Sequence, residues 1–389
     1  MPFGIYIHIP FCSRRCDYCD FATWVGREAL VEEYVETILR QFKFQMEYFN
    51  IEPSTLVDSI FFGGGTPNLI DESHLAKIIS TISSKLSVSS DTEITVECNP
   101  DHVTSGQMET YKHAGVNRIS IGVQSSNHKV LEYLGREHNP IHVKTARDHI
   151  ASSGITNVSA DLIYGSPCES FKEWEDSLDF TIGLDLNHIS AYALGIESGT
   201  PLANSITAGE KQTSSDDDQA TKYEIADQVL NANGFSWYEI SNWSKKSQRS
   251  KHNLIYWRGG NILALGCASH GVQDGLRYST PRSIDKYLEE LSPQRKLSDL
   301  DSSYIINQNV TSSIGSKEEE FALKLRTRDG IKWPNNFQSE VLEQFIDDGF
   351  VLKEPANETI YLNLKGRLMA NRLTVDLFEE YSKLSSGVE

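Results

Sequence analysis

The sequence predicts an α/β fold built on a parallel sheet, followed by a smaller α+β region. Three observations predict it. Short apolar, β-branched runs alternate with segments of helical spacing from residue 4 to residue 193. Motifs rich in Cys, Gly and carboxylates fall directly after several of these runs, at the carboxyl ends of the strands, where parallel α/β sheets collect their ligands. After Thr200-Pro201 the chain changes character, to a stretch rich in Ser, Thr, Gly and Asp and then to shorter, mixed elements.

Each element follows from its own pattern. Residues 4–9, Gly-Ile-Tyr-Ile-His-Ile, read as the first strand. Residues 28–49 carry Leu30, Tyr34, Ile38 and Phe42 at helical spacing, and residues 57–62 return as a buried strand. Helices at 72–86, 105–114, 142–152 and 171–182 then alternate with strands at 93–97, 118–123, 157–163 and 188–193, which makes six strands in all. Strands separated by helices pair in parallel. Residues 205–219, with their triple Asp, predict a solvated connector. A helix at 220–231 and a strand at 235–240 open a second region, residues 220–300. Residues 301–389 read as helices at 317–325 and 338–348, a small wing at 350–352 and 359–362, and a closing helix to about 384. That order fits a winged-helix-like module.

Composition limits the function. At 389 residues the chain can bury two or three domains, and 39% hydrophobic content is ordinary for a globular protein. Its apolar runs are too short and interrupted to span a bilayer, and the first residues lack the basic region of an export signal, so the expected location is the cytosol. A net charge of -18 opposes nucleic acid and anionic membrane surfaces at long range. No basic stripe marks residues 301–389, so packing or partner docking, not DNA binding, is predicted for that module.

The densest chemistry lies at the start. Cys12, Cys16 and Cys19 form a CxxxCxxC triplet on the loop after the first strand. Three thiolates from one loop can each hold one iron of a cubane [4Fe-4S] cluster, leaving the fourth iron open. Structural zinc would need a fourth ligand, usually from a second cysteine pair, and Cys98, Cys168 and Cys267 are isolated. A disulfide framework belongs to exported proteins.

With Tyr18 just before its last cysteine, this loop resembles that of the radical S-adenosylmethionine (SAM) superfamily, whose open iron is chelated by the amino and carboxylate groups of SAM. The resemblance implies a partial (β/α)6 barrel over residues 1–204, and further motifs extend it. Phe62-Gly63-Gly64-Gly65-Thr66-Pro67 resembles the superfamily's glycine motif for the methionine moiety, with Gly64 and Gly65 giving backbone contacts and Thr66-Pro67 also fitting a helix start. Glu97 ends the third strand, where a carboxylate suits ribose hydroxyls. Gln124, Arg136 and Asp161, together with Tyr6, match positions that line the nucleotide site in the coproporphyrinogen-oxidase-like branch.

Two families of that branch resemble the chain. The oxygen-independent coproporphyrinogen III oxidases (HemN) carry a further cysteine two places after the third cluster ligand, where this chain has Phe21. The heme chaperones called HemW share Cys19-Asp20-Phe21, and Lys251-His252-Asn253-Leu254-Ile255-Tyr256-Trp257-Arg258 resembles their His-Asn-x-x-Tyr-Trp segment, which is linked to heme binding. His252 and Tyr256, four residues apart, share a helical face. This resemblance implies heme as ligand, with His252 on its side, acceptor hemoproteins that can include membrane-bound ones, and an electron donor for the cluster. Nucleic acid is not among the expected partners.

Overall fold

A computed structural model describes residues 1–292, 317–336 and 338–386. The expected boundary at 300/301 lies outside the described residues. All six expected strands form, in parallel and in sequence order: β1 (Phe3–Ile9), β2 (Leu56–Gly64), β3 (Ser87–Cys98), β4 (Arg118–Gln124), β5 (Asn157–Tyr164) and β6 (His188–Ala193). Their connections carry α1 (Val31–Tyr48), α2 (Glu72–Lys85), α3 (Ser105–His113), α4 (His128–Tyr133), α5 (Pro140–Ser152) and α6 (Phe171–Ile182). Crossover helices cover the sheet from outside, so these strands are almost fully buried, while β4 and β5 alternate apolar residues with Arg118, Ser120, Ser159 and Asp161. β3 starts earlier than its sequence suggests, because the polar segment from Ser87 pairs with Leu56 and Val57 at the strand's exposed end.

Among the described residues, 220–292 are not a body apart from the barrel. β7 (Ser236–Glu239) and β8 (Asn242–Ser244) extend the sheet beyond β6, while β9 (Asn261–Leu265), β10 (His270–Gln273) and β11 (Leu276–Ser279) extend it beyond β1. The result is one eleven-stranded sheet among the described residues, with β9 parallel to β1 and β8 antiparallel to β6. Between β8 and β9 the chain must cross from one edge to the other. It does so through α9 (Lys251–Trp257), the His-Asn-x-x-Tyr-Trp segment, which packs against β1, β2 and β9.

The expected connector at 205–219 is helical at both ends, with an irregular stretch at 208–215 between them. α7 (Pro201–Thr207) occupies its start, and α8 (Asp216–Ala232) begins at the triple Asp. Ser215 caps α8 by accepting from the Asp218 N–H, and three carboxylates in the first turn favour the helix N-terminus electrostatically. Acidic residues that look like solvated loop are therefore a helix start. After α10 (Ile284–Glu290), the C-terminal module packs helix Lys317–Leu325, helix Glu340–Asp347 and closing helix Ala370–Ser386 against a sheet of β12 (Ile331–Lys332), β13 (Val351–Glu354) and β14 (Thr359–Leu362). It has its own core around Phe321, Trp333, Leu342 and Ile360. Asp329 joins it to both flanks of α9, meeting Arg249 at 3.0 Å and Arg258 at 2.7 Å.

Candidate functional site

The cysteine loop is pinned before any ligand arrives. Cys12 N–H donates to Trp24 O at 3.0 Å and Trp24 N–H donates to Pro10 O at 2.8 Å, which closes the loop's ends. Its middle is held by Asp17, whose N–H donates to Leu134 O and whose carboxylate meets Lys211 at 2.8 Å. Cys12 is buried, and Cys16 and Cys19 are partly exposed. The Thr66 hydroxyl donates to Cys12 Sγ at 3.6 Å, and Arg136 Nη1 donates to Cys16 Sγ at 3.6 Å. Burial pushes the Cys12 and Cys19 thiols up, Cys19 to about 11, so they ionise only with a compensating positive charge such as iron. Among the described residues no three His, Cys, Asp or Glu side chains close around a single ion. A cubane asks for the opposite arrangement, each thiolate on a different iron. Cys98 and Cys267 are buried off the loop, Cys98 at the end of β3 beside Glu97 and Cys267 accepting from Tyr34 at 3.4 Å, and Cys168 is exposed.

Beneath the loop, a cavity of about 430 Å³ opens into the barrel. It gathers most of the residues expected from sequence: the three cysteines, Tyr18, Gly64, Gly65, Thr66, Glu97, Gln124, Arg136 and Asp161 all line it. The roles within it differ from expectation at two places. Gly65 N–H already donates to Ile9 O at 2.8 Å and Gly64 N–H to Glu97 Oε2 at 3.1 Å, so neither amide is free for a ligand. The glycines are needed for space. A Cβ on Gly65 would stand 2.7 Å from Ile9 O, and one on Gly64, which has φ +107°, would enter the His8 ring at 2.3 Å. Thr66 does not cap the turn Pro67–Leu69 with its side chain; its hydroxyl turns to Cys12 and accepts from Asn99 Nδ2 at 3.3 Å.

Charge in the cavity is tuned by burial. Glu97 is pushed up to about 8 by desolvation and then by Asp161, and Asp161 is itself raised by burial although Ser190 and Ser120 donate to it, Ser120 at 2.9 Å. Arg136 brings a cation to Cys16. Its Nη2 donates to Asn99 Oδ1 at 2.6 Å and to Gly122 O at 3.3 Å, and its Nε to His138 Nδ1 at 3.3 Å. Gln124 ends β4 at φ +62°, beside a register shift between Gly122 and Gln124, a strained backbone of the kind found at ligand sites. Asn99 was not singled out by the sequence, yet it joins Thr66, Arg136 and Asn68. Its position two residues after Glu97, past the end of β3, is the only signal that could have found it.

Tyr6 and His252 lie one layer deeper. Tyr6 donates to His8 Nδ1 at 3.0 Å, because His8 Nε2 must carry the proton it gives to Ala22 O at 2.9 Å, and burial holds the His8 ring neutral, down to about 4. His252 is only 2% exposed. Its ring stacks on Phe61 at 4.8 Å, stands 6.3 Å from Tyr6, and shares a hydrogen bond of 2.8 Å with Ser59. Burial lowers it to about 3. His252 and Tyr256 do share a face, 5.3 Å apart, but that face is the barrel floor and not the surface of a separate domain.

A partial parallel barrel with a three-cysteine loop over its mouth defines a class, and residues 6–181 match the family model described as the radical SAM superfamily. Relatives span nearly the whole chain. It is 32% identical over 377 residues to heme chaperone HemW of Mycobacterium tuberculosis, covering 95% of this chain and 93% of that one. It is also 32% identical over 381 residues to HemW of Bacillus subtilis, covering 95% and 97%. Among solved structures, coproporphyrinogen III oxidase (HemN) from Escherichia coli matches with a TM-score of 0.76 over 96% of this chain and 89% of that one, at 16% identity, which shows a shared fold. The chain belongs to the HemW family of the radical SAM superfamily.

Proposed function

We propose that this protein binds heme and passes it to acceptor hemoproteins, and that it does so with a [4Fe-4S] cluster on Cys12, Cys16 and Cys19 and with SAM in the cavity below. The observation that carries the reading is the likeness to heme chaperones at 32% identity along 95% of the chain, through both the cysteine loop and the α9 segment. When bound, the cluster would supply an open iron for the amino and carboxylate groups of SAM to chelate. Arg136, within hydrogen-bond reach of Cys16 Sγ, balances the thiolate charge, and Glu97 and Asp161 offer oxygens to the ribose and amino groups. Gln124 and Tyr18 complete the walls, and Tyr6 supports them from below through His8. An electron donor for the cluster and a cytosolic location belong to the same reading. No helix among the described residues is long and apolar enough to cross a membrane.

For heme, the α9 segment presents Tyr256. It is 39% exposed, with its ring 5.3 Å from that of His252. A flat, exposed aromatic face beside a buried imidazole suits a porphyrin. His252 Nε2 is buried without a hydrogen-bond partner, so this nitrogen would be available to a heme iron that reached it. The test is to add heme, and separately coproporphyrinogen with SAM and reductant, to anaerobically reconstituted protein. Saturable heme binding and transfer to an apo-hemoprotein without decarboxylation supports the chaperone; porphyrinogen product without heme binding overturns it.

A further inference from the structure

The interior of this barrel is hollow below the SAM site. Parallel barrels normally fill their centre with layers of bulky branched side chains. Here the inward positions level with Glu97 and Asp161 are Ser120 and Ser190, and those below them are Thr95 and Ser159, with the strand register aligning Thr95 with Arg118 and Ser159 with His188. The cavity that begins at the cysteines reaches this level, since Thr95, Arg118, Ser159 and His188 line it too. Arg118 stands two residues below Ser120, which pairs with Glu97, about 7 Å along the strand, so the chamber leaves room for a small second ligand beneath the first.

Its polar groups are incompletely used. Thr95 is 1% exposed and its Oγ1 has no partner; His188 is 2% exposed and its Nδ1 has none, while its Nε2 is engaged with the Tyr238 hydroxyl at 2.8 Å. Such atoms are costly to bury unless a ligand or ordered water completes them. Arg118 is buried at 2% exposure, and among the described residues its hydrogen bonds all come from Nη1, to Glu93 Oε2 at 3.4 Å and to Gln248 O at 3.3 Å. Glu93 does not depend on that long contact, because its Oε1 accepts from the Ser250 hydroxyl at 3.4 Å and from His252 N–H at 3.2 Å. The rest of the guanidinium fork faces the chamber with donors to offer, and planar bidentate donors select carboxylates.

We infer that the lower half of the barrel is a second binding site, for a small carboxylate-bearing molecule held by Arg118, with Thr95 and His188 completing its hydrogen bonds. Neither its geometry nor its test depends on heme. The full-length, cluster-loaded protein is titrated with acetate and with succinate, observed by ligand NMR, in the absence and presence of saturating SAM. Saturable binding of one probe that persists with SAM present is expected. Thr95→Val removes a hydroxyl that no protein group uses, so it should melt no lower than wild type while weakening the probe roughly tenfold. Arg118→Met combined with Glu93→Gln, which leaves no orphan charge at the floor, should abolish binding. The inference fails if neither probe saturates, if SAM displaces the probe, if the probe binds Thr95→Val as tightly as wild type, or if Thr95→Val melts below wild type. Should the double variant not fold, Thr95→Val alone decides.

Discussion

Glu97→Gln gives the sharpest test of the cavity's electrostatics. In the folded protein Glu97 ionises near 8, where an ordinary glutamate ionises at 4.5, because it is buried and faces Asp161. The folded state therefore holds a proton that the unfolded chain has released between those values, and stability falls as pH rises through that window. The slope is about 1.4 kcal/mol per pH unit, so wild type should lose roughly 3 kcal/mol between about pH 5.5 and about pH 7.5 from this one group. Glutamine has the shape of the protonated acid and can still accept from Gly64 N–H, so the variant should keep its stability at low pH and lose this part of the slope. Asp161, also raised, leaves a smaller slope of the same sign. Denaturant unfolding at both pH values, under anaerobic conditions and without SAM, measures it. Equal slopes for wild type and Glu97→Gln would refute the reasoning.

Alanine at Cys12, Cys16 or Cys19 should remove most cluster iron and absorbance, whereas alanine at Cys98, Cys168 or Cys267 should leave it; the reverse pattern in an iron assay would reject the loop as the cluster site. Gly65→Ala should displace the loop and lower cluster occupancy, because its Cβ would fall within 2.8 Å of both the Ile9 and Phe11 carbonyls, and an unchanged cluster spectrum would count against that close fit. Above about pH 8, where Glu97 is ionised, Glu97→Ala should weaken SAM roughly 10- to 100-fold by calorimetry while the cluster stays, since lost hydrogen bonds to charged groups cost about 1.5 to 3 kcal/mol. His252→Ala should weaken heme binding or alter its spectrum. Because its ring packs on Phe61, a wall of the SAM cavity, SAM affinity should fall as well; unaltered heme affinity and spectrum would leave this histidine structural.

The six core strands were legible because short runs rich in β-branched residues alternate with segments of helical spacing, and their motifs lie at the carboxyl ends where ligands gather. Cys12 could be placed on that site from spacing, whereas Glu97, Gln124 and Asp161 were placed there by the resemblance to the radical SAM superfamily. What was not legible depended on pairing across long separations. Nothing local to Trp243 or Leu263 says that their strands flank β6 and β1, so residues 220–300 read as a separate region. The run Ser215-Asp-Asp-Asp218 was ambiguous for a different reason, since the residues that cap and begin a helix also make solvated loops. Arg118 and Thr95 were hidden because inward polar positions on a barrel strand look like ordinary alternation until the barrel closes around them.

That misplacement of α9 changes how the two ligand readings relate. On separate domains, the heme segment and the SAM site could be altered independently. In the structure, a contiguous set of contacts joins them: Ala22 of the cysteine loop to His8, His8 to Tyr6, Tyr6 to the His252 ring, and His252 N–H to Glu93 at the floor. From there Arg249 and Arg258, at the ends of α9, reach Asp329 of the C-terminal module. If heme enters by displacing Tyr256, it must disturb the stack of His252 on Phe61, which is also a wall of the SAM cavity. Linkage then requires reciprocity: whatever SAM does to heme affinity, heme does to SAM affinity by the same factor. A packed floor shared by both sites gives that coupling a physical carrier, which two independent domains would lack.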